Sequence, residues 1–166
     1  MKYVAMFCAT GAGSGFSPVA PGTAGSILAA LLLAFCSTFS SWPFILITTL
    51  IVIVGIWASS QAEEIVKKED PSIVVIDEIA GMLIGVLFLP PTLITILLTL
   101  VFFRVFDIAK PYPVRQAEEG GVHLAGKFPQ FTWLSKNKGG IGIMLDDILA
   151  GIYTNIIVRI ILHFIN

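Results

Sequence analysis

Five carboxylates stand in doubled or closely spaced positions at the edges of apolar sequence: Asp77-Glu78, Asp107 three residues after Arg104, and Asp146-Asp147. Carboxylates grouped without cysteine or histidine partners suit a hard cation. Mg2+ in particular takes one or two carboxylates while keeping waters and substrate phosphate oxygens. The residue types therefore point to metal-assisted chemistry on a phosphorylated substrate. Lys110-Pro111-Tyr112-Pro113-Val114-Arg115 follows directly on Asp107, and its prolines fix the backbone so that cations fall beside acids and can hold an anion. The same residues would also serve as membrane-surface anchors, a zone that Tyr, Lys and Arg favour. Each acid pair has a plainer reading too, as the first turn of a helix whose dipole favours an anion. That reading explains neither the doubling of both pairs nor Asp107 at a helix C-terminus, where the dipole opposes it.

The segment from Gly11 to Ser26 is rich in glycine and hydroxyl residues, Thr23 and Ser26 among them. It fits neither a dinucleotide fingerprint nor a P-loop, since Phe16 takes the third glycine position and no Gly-Lys-Ser/Thr occurs. Backbone amides and hydroxyls beside a helix N-terminus bind phosphate oxygens well; a flexible interfacial loop is the alternative. Asp77, Gly81 and Gly85 recur at helical spacing, as do Asp147, Gly151 and Asn155, which reads as close helix packing beneath the acids. His123 and His163 have no partners that suggest a triad.

The elements that must position these groups are apolar. Of 166 residues 56% are hydrophobic and only 13% charged, with mean hydropathy +0.91, against roughly 25% charged in a soluble domain. The blocks Gly22 to Phe39, Trp42 to Ala58, Ile73 to Leu89, Thr92 to Phe106 and about Gly142 to Ile165 predict an all-α, polytopic membrane bundle of about five hydrophobic helices forming a single domain, 1–166. Pro90-Pro91 breaks the third and fourth into a hairpin whose legs are short enough to leave open whether it spans or re-enters. At 1.5 Å per residue, Asp77 lies about 20 Å before the break and Asp107 about 24 Å after it, so both return to one depth. Nine of the ten Lys and Arg fall on that side, with Arg159 opposite, which places it in the cytoplasm of a bacterial inner membrane.

The net charge of -1 argues against a nucleic-acid partner. Cys8 and Cys36 form no metal-ligand spacing or disulfide framework, and neither is followed within six residues by the arginine that a cysteine phosphatase needs. No apolar core leading to a cleavage site marks the first 20 residues, which read as mature sequence. A cation pathway would continue polar residues through the bilayer, but the spans are apolar toward the outer face apart from threonines, Asn155 and Arg159.

Four motifs in order, Gly13 to Ser26, Asp77-Glu78-Ile79-Ala80-Gly81, Phe103 to Pro113 and Gly139 to Gly151, closely resemble the phosphatidylglycerophosphatase A family, over about Gly11 to Ile157. The resemblance implies a Mg2+-dependent inner-membrane enzyme that removes the terminal phosphate of phosphatidylglycerol phosphate, a lipid substrate, to give phosphatidylglycerol. On that basis Asp77, Glu78, Asp107, Asp146 and Asp147 are expected to supply metal ligands and a general base. Arg104, Lys110 and Arg115, with Thr23 and Ser26, are expected to hold the phosphate. The stretch from about Glu118 to Lys136 is longer than the family's usual link, and its Phe128-Pro129-Gln130-Phe131-Thr132-Trp133-Leu134 suits a lipid interface.

Overall fold

The computed structural model describes residues 1–127 and 130–165. Among the described residues every regular element is helical: α1 (Lys2–Ala9), a 3-10 turn (Ser14–Phe16), α2 (Pro21–Leu33), α3 (Trp42–Val66), α4 (Ile76–Val86), α5 (Leu93–Ala109), α6 (Val114–Lys127), α7 (Thr132–Lys136) and α8 (Lys138–Ile165). Local chemistry sets several boundaries. Ser41 caps α3 by accepting the amide of Phe44, with Pro43 in the first turn, and the left-handed Lys67 ends the helix. Thr92 caps α5 after Pro90-Pro91, and Lys110, at φ 41°, closes it.

Among the described residues two helices, α3 with 25 residues and α8 with 28, are long and apolar enough to cross a membrane. The other apolar blocks give shorter helices, 13 residues in α2, 11 in α4 and 17 in α5. Outward faces on all of these but α4 carry exposed large apolar side chains, such as Leu31, Leu50, Leu97, Val101 and Ile156. Continuous apolar outer surface of this kind belongs in lipid.

The polar stretch from Asp107 to Ile141, which lies between the fourth and fifth apolar blocks and reads as loop by hydropathy, contains α6, α7 and the first turn of α8. Gly121 of α6 packs so closely on α8 that an added Cβ would lie 2.5 Å from Leu145. Gly140 approaches α3 so that its Cβ would lie 2.0 Å from the carbonyl of Ile56, and its amide donates to Ser60 Oγ at 2.9 Å. These contacts let α8 begin at Lys138. Part of the segment expected at a lipid interface, Phe128 and Pro129, lies outside the described residues, while Phe131 and Trp133 are exposed.

At the centre, α4 runs beside α8 in the same direction and α5 returns against both. Gly81 has room for no side chain: its Cβ would meet the Phe103 ring at 2.3 Å and the carbonyl of Asp147 at 2.9 Å. An added Cβ on Gly151 would in turn lie 2.6 Å from the Gly81 carbonyl. Helical α4 stops after Val86, and one side chain of α8 gathers the carbonyls at its end. Asn155 Nδ2 lies 3.3, 3.0 and 2.8 Å from the carbonyls of Ile84, Gly85 and Leu87, and Arg159 adds a bond to Leu87 at 3.4 Å. Non-helical backbone among apolar helices persists only where protein groups satisfy it.

Candidate active site

Asp77 and Glu78 occupy the first turn of α4, which starts after the extended turn Pro71 to Val75. That turn is pinned from the N-terminal segment. The amide of Val75 donates to the Ala9 carbonyl at 2.9 Å, and Gly15 lies so close that its Cβ would be 2.0 Å from the Ile73 carbonyl. Several glycines of this segment thus serve close approach to the start of α4. Gly22 does so at the site itself, where a Cβ would fall 2.0 Å from Glu78 Oε1 and 3.2 Å from Arg104 Nη1.

Asp146 and Asp147 lie more than two turns inside α8, beyond the reach of its N-terminal dipole. The helix-start reading therefore fails for this pair, while Asp77 and Glu78 do sit in a first turn, though without a side-chain cap. The end of α5 brings Arg104 and Asp107, and the backbone beyond it brings Lys110. The carbonyl of Tyr112, two residues on, is held by the Tyr153 hydroxyl of α8 at 3.2 Å.

All five acids and both of these cations line one cavity of about 240 Å³. Within it the carboxylates divide by partner. Asp107 Oδ2 accepts from Arg104 Nη1 at 2.5 Å, and Asp146 Oδ2 from Lys110 Nζ at 2.5 Å. Glu78 Oε1 is 3.7 Å from Arg104. By contrast, Asp77 Oδ1, Glu78 Oε2 and Asp147 Oδ2 are buried with no hydrogen-bond partner, and these three residues offer ligand atoms that all lie within 4.8 Å of one another. Buried acceptors without donors are costly. An all-oxygen set of this spacing fits a hard divalent cation. Counting Asp70, six acids and two cations line the cavity, so a phosphate dianion enters only with added positive charge.

Of the other residues expected to hold phosphate, none lines the cavity. Thr23 is half-buried in the first turn of α2, Ser26 is buried with its hydroxyl donating to the Gly22 carbonyl at 3.0 Å, and Arg115 is exposed on α6. What α2 does bring is its N-terminus: Ala20, Pro21 and Gly22 form part of the wall, where first-turn amides have no intrahelical acceptor. Two further lining residues, Asp70 and Ser72, sit just before the α4 start. In sequence they are one polar turn among many; only the position of the α4 start, one residue before Asp77, could have singled them out.

The sequence profile of the family described as Phosphatidylglycerophosphatase A matches residues 7–126 and 125–162. A protein of Escherichia coli (strain K12) named "Phosphatidylglycerophosphatase A" is 35% identical over 147 residues, covering 87% of this chain and 75% of its own length; one of Haemophilus influenzae with the same name is 33% identical over 152 residues, covering 90% and 83%. A Bacteroides thetaiotaomicron protein named "Putative phosphatidylinositol-3-phosphatase" is 36% identical over 167 residues, covering 96% and 94%. No solved structure matches the chain.

Proposed function

Because the chain belongs to the phosphatidylglycerophosphatase A family of phosphatases, we propose that it hydrolyses the terminal phosphate of phosphatidylglycerol phosphate to phosphatidylglycerol, with Mg2+ as cofactor. The site works at the cytoplasmic face of a bacterial inner membrane, from a single domain. One observation carries the reading: three carboxylate oxygens, on Asp77, Glu78 and Asp147, are buried together without partners beside Arg104 and Lys110.

Asp77, Glu78 and Asp147 hold the metal. When bound, a divalent ion neutralises phosphate charge and acidifies water for in-line attack. Arg104 and Lys110 bind the phosphate, each aimed by a carboxylate at 2.5 Å, Asp107 and Asp146 respectively. The first-turn amides of α2 receive further phosphate oxygens. A carboxylate of the same layer takes the proton of the attacking water. The burial of Asp147 against the packed α4 and α8 keeps bulk water from the inner end of the site.

The name carried by the Bacteroides relative favours a second substrate, phosphatidylinositol 3-phosphate, for the same chemistry. Purified protein in detergent is expected to release phosphate from phosphatidylglycerol phosphate with Mg2+ and to stop with excess EDTA, at a higher kcat/KM than for the inositol lipid. Independently of turnover, Mn2+ as a paramagnetic probe should bind the wild type and not Asp147→Asn. Release that persists in EDTA would overturn the metal assignment.

A further inference from the structure

Most of the cavity's polar wall is charged and suited to a phosphate and its metal. Ala20, Pro21, Gly22, Val74 and Ile143 offer no side-chain hydrogen bond. Ser72 carries the only hydroxyl among the described lining residues. Its side chain is exposed, and its oxygen makes no hydrogen bond to another described residue.

The backbone that carries Ser72 is nevertheless fixed on both sides. The amide of Asp70 donates to Glu63 Oε1 at 3.1 Å, and that of Val74 donates to the Pro71 carbonyl at 2.8 Å. Beyond these, Val75 is tied to Ala9 and Ile73 is pressed against Gly15. A hydroxyl with no protein partner, on a backbone held at the wall of a reaction cavity, has only its own side-chain torsion to set in order to meet a ligand group.

The cavity, at about 240 Å³, is small for a whole lipid and suits a head group whose acyl chains remain in the bilayer. A head group whose phosphate engages the charged layer still brings any polyol hydroxyls, which lose water on entry and need partners. Resting on the phosphatase reading above, we infer that Ser72 reads a hydroxyl beside the scissile phosphate. Ser72 thereby selects phospholipids whose phosphomonoester sits on a polyol head group.

The test compares phosphatidylglycerol phosphate with an analogue whose head group is propane-1,3-diol phosphate, lacking only the central hydroxyl. Wild type is expected to favour the hydroxylated lipid in kcat/KM by about tenfold or more, the scale of one hydrogen bond to a substrate hydroxyl. Ser72→Ala should bring the ratio of the two lipids towards one, chiefly by raising KM for the hydroxylated lipid, and Ser72→Thr should restore it. A Ser72→Ala protein that loses equally on both lipids, or keeps the wild-type ratio, overturns the assignment. So does a wild type that turns over both lipids equally. A wild type that releases phosphate from neither overturns the phosphatase reading instead. Thermal unfolding in detergent, expected to be unchanged, separates misfolding from loss of recognition.

Discussion

Replacing Asn155 with leucine keeps the side chain's bulk and removes its amide, which two N–H groups make the cap for three carbonyls at 2.8 to 3.3 Å. The Ile84 carbonyl keeps the Leu87 amide at 3.1 Å, so the carbonyls of Gly85 and Leu87 are the two that lose a donor, at about 1–3 kcal/mol for one left bare and shielded from water. Arg159, 3.4 Å from the Leu87 carbonyl, offsets part of that loss. Measured hydrogen bonds within membranes average only about 0.6 kcal/mol, which sets the floor. The expected destabilisation is therefore about 1–4 kcal/mol. The consequence for function follows from α4 being a single 11-residue rod with Asp77 and Glu78 at one end and the Asn155 clamp at the other. Freed at its inner end, the rod no longer holds its acids against Asp147. The Mg2+ concentration for half-maximal phosphate release should rise about tenfold or more, with activity partly recovered at high Mg2+. Asn155→Leu and Asn155→Gln, purified in detergent, would be compared in thermal unfolding and in Mg2+ titrations, with the glutamine intermediate in both. If Asn155→Leu unfolds within about 0.5 kcal/mol of wild type and titrates with Mg2+ unchanged, the clamp does not position the acids.

Gly81→Ala forces a Cβ to within 2.3 Å of Phe103 and should cost about 1–3 kcal/mol, read as a lower unfolding temperature in detergent. Gly120→Ala on α6, where a Cβ meets nothing within 4 Å, should be neutral or stabilising by up to about 1 kcal/mol. In EDTA, Asp147→Asn should unfold at a higher temperature than wild type, since it removes a carboxylate buried among Asp77, Glu78 and Asp146, yet it should gain nothing from added Mg2+; a lower unfolding temperature in EDTA would contradict the crowding of acids. Arg104→Ala should lower kcat/KM by about 100-fold, losing a phosphate contact and leaving Asp107 unpaired, whereas Arg115→Ala, exposed and outside the cavity wall, should lower it less than about threefold.

Much of the site is legible in the sequence. Carboxylates are rare at the margin of apolar sequence, and the rise of a helix on either side of Pro90-Pro91 returns Asp77 and Asp107 to one depth whatever the packing. Hydropathy likewise marks the helical character of the chain, and the spacing of Asp77, Gly81 and Gly85 implies the close packing that Phe103 and Asp147 make against Gly81. Element ends were less legible. The α6 helix is polar enough to pass for loop, and α8 starts at Lys138 only because Ser60 and Ile56 of α3 receive its first turn.

What the sequence by itself determined is the inventory: which acids and cations exist, that they gather at one level, and that apolar helices carry them. Only the tertiary structure decided how that inventory is divided. It pairs Asp146 with Lys110, brings Glu78 of α4 beside Arg104 of α5, leaves oxygens of Asp77, Glu78 and Asp147 facing one another, and gives Asn155 the capping of a helix about 70 residues earlier. The physical reason is that periodicity and hydropathy are properties of neighbouring residues. Hydrogen-bond satisfaction is settled between segments far apart in the chain, by distances of a few tenths of an ångström that no local pattern encodes.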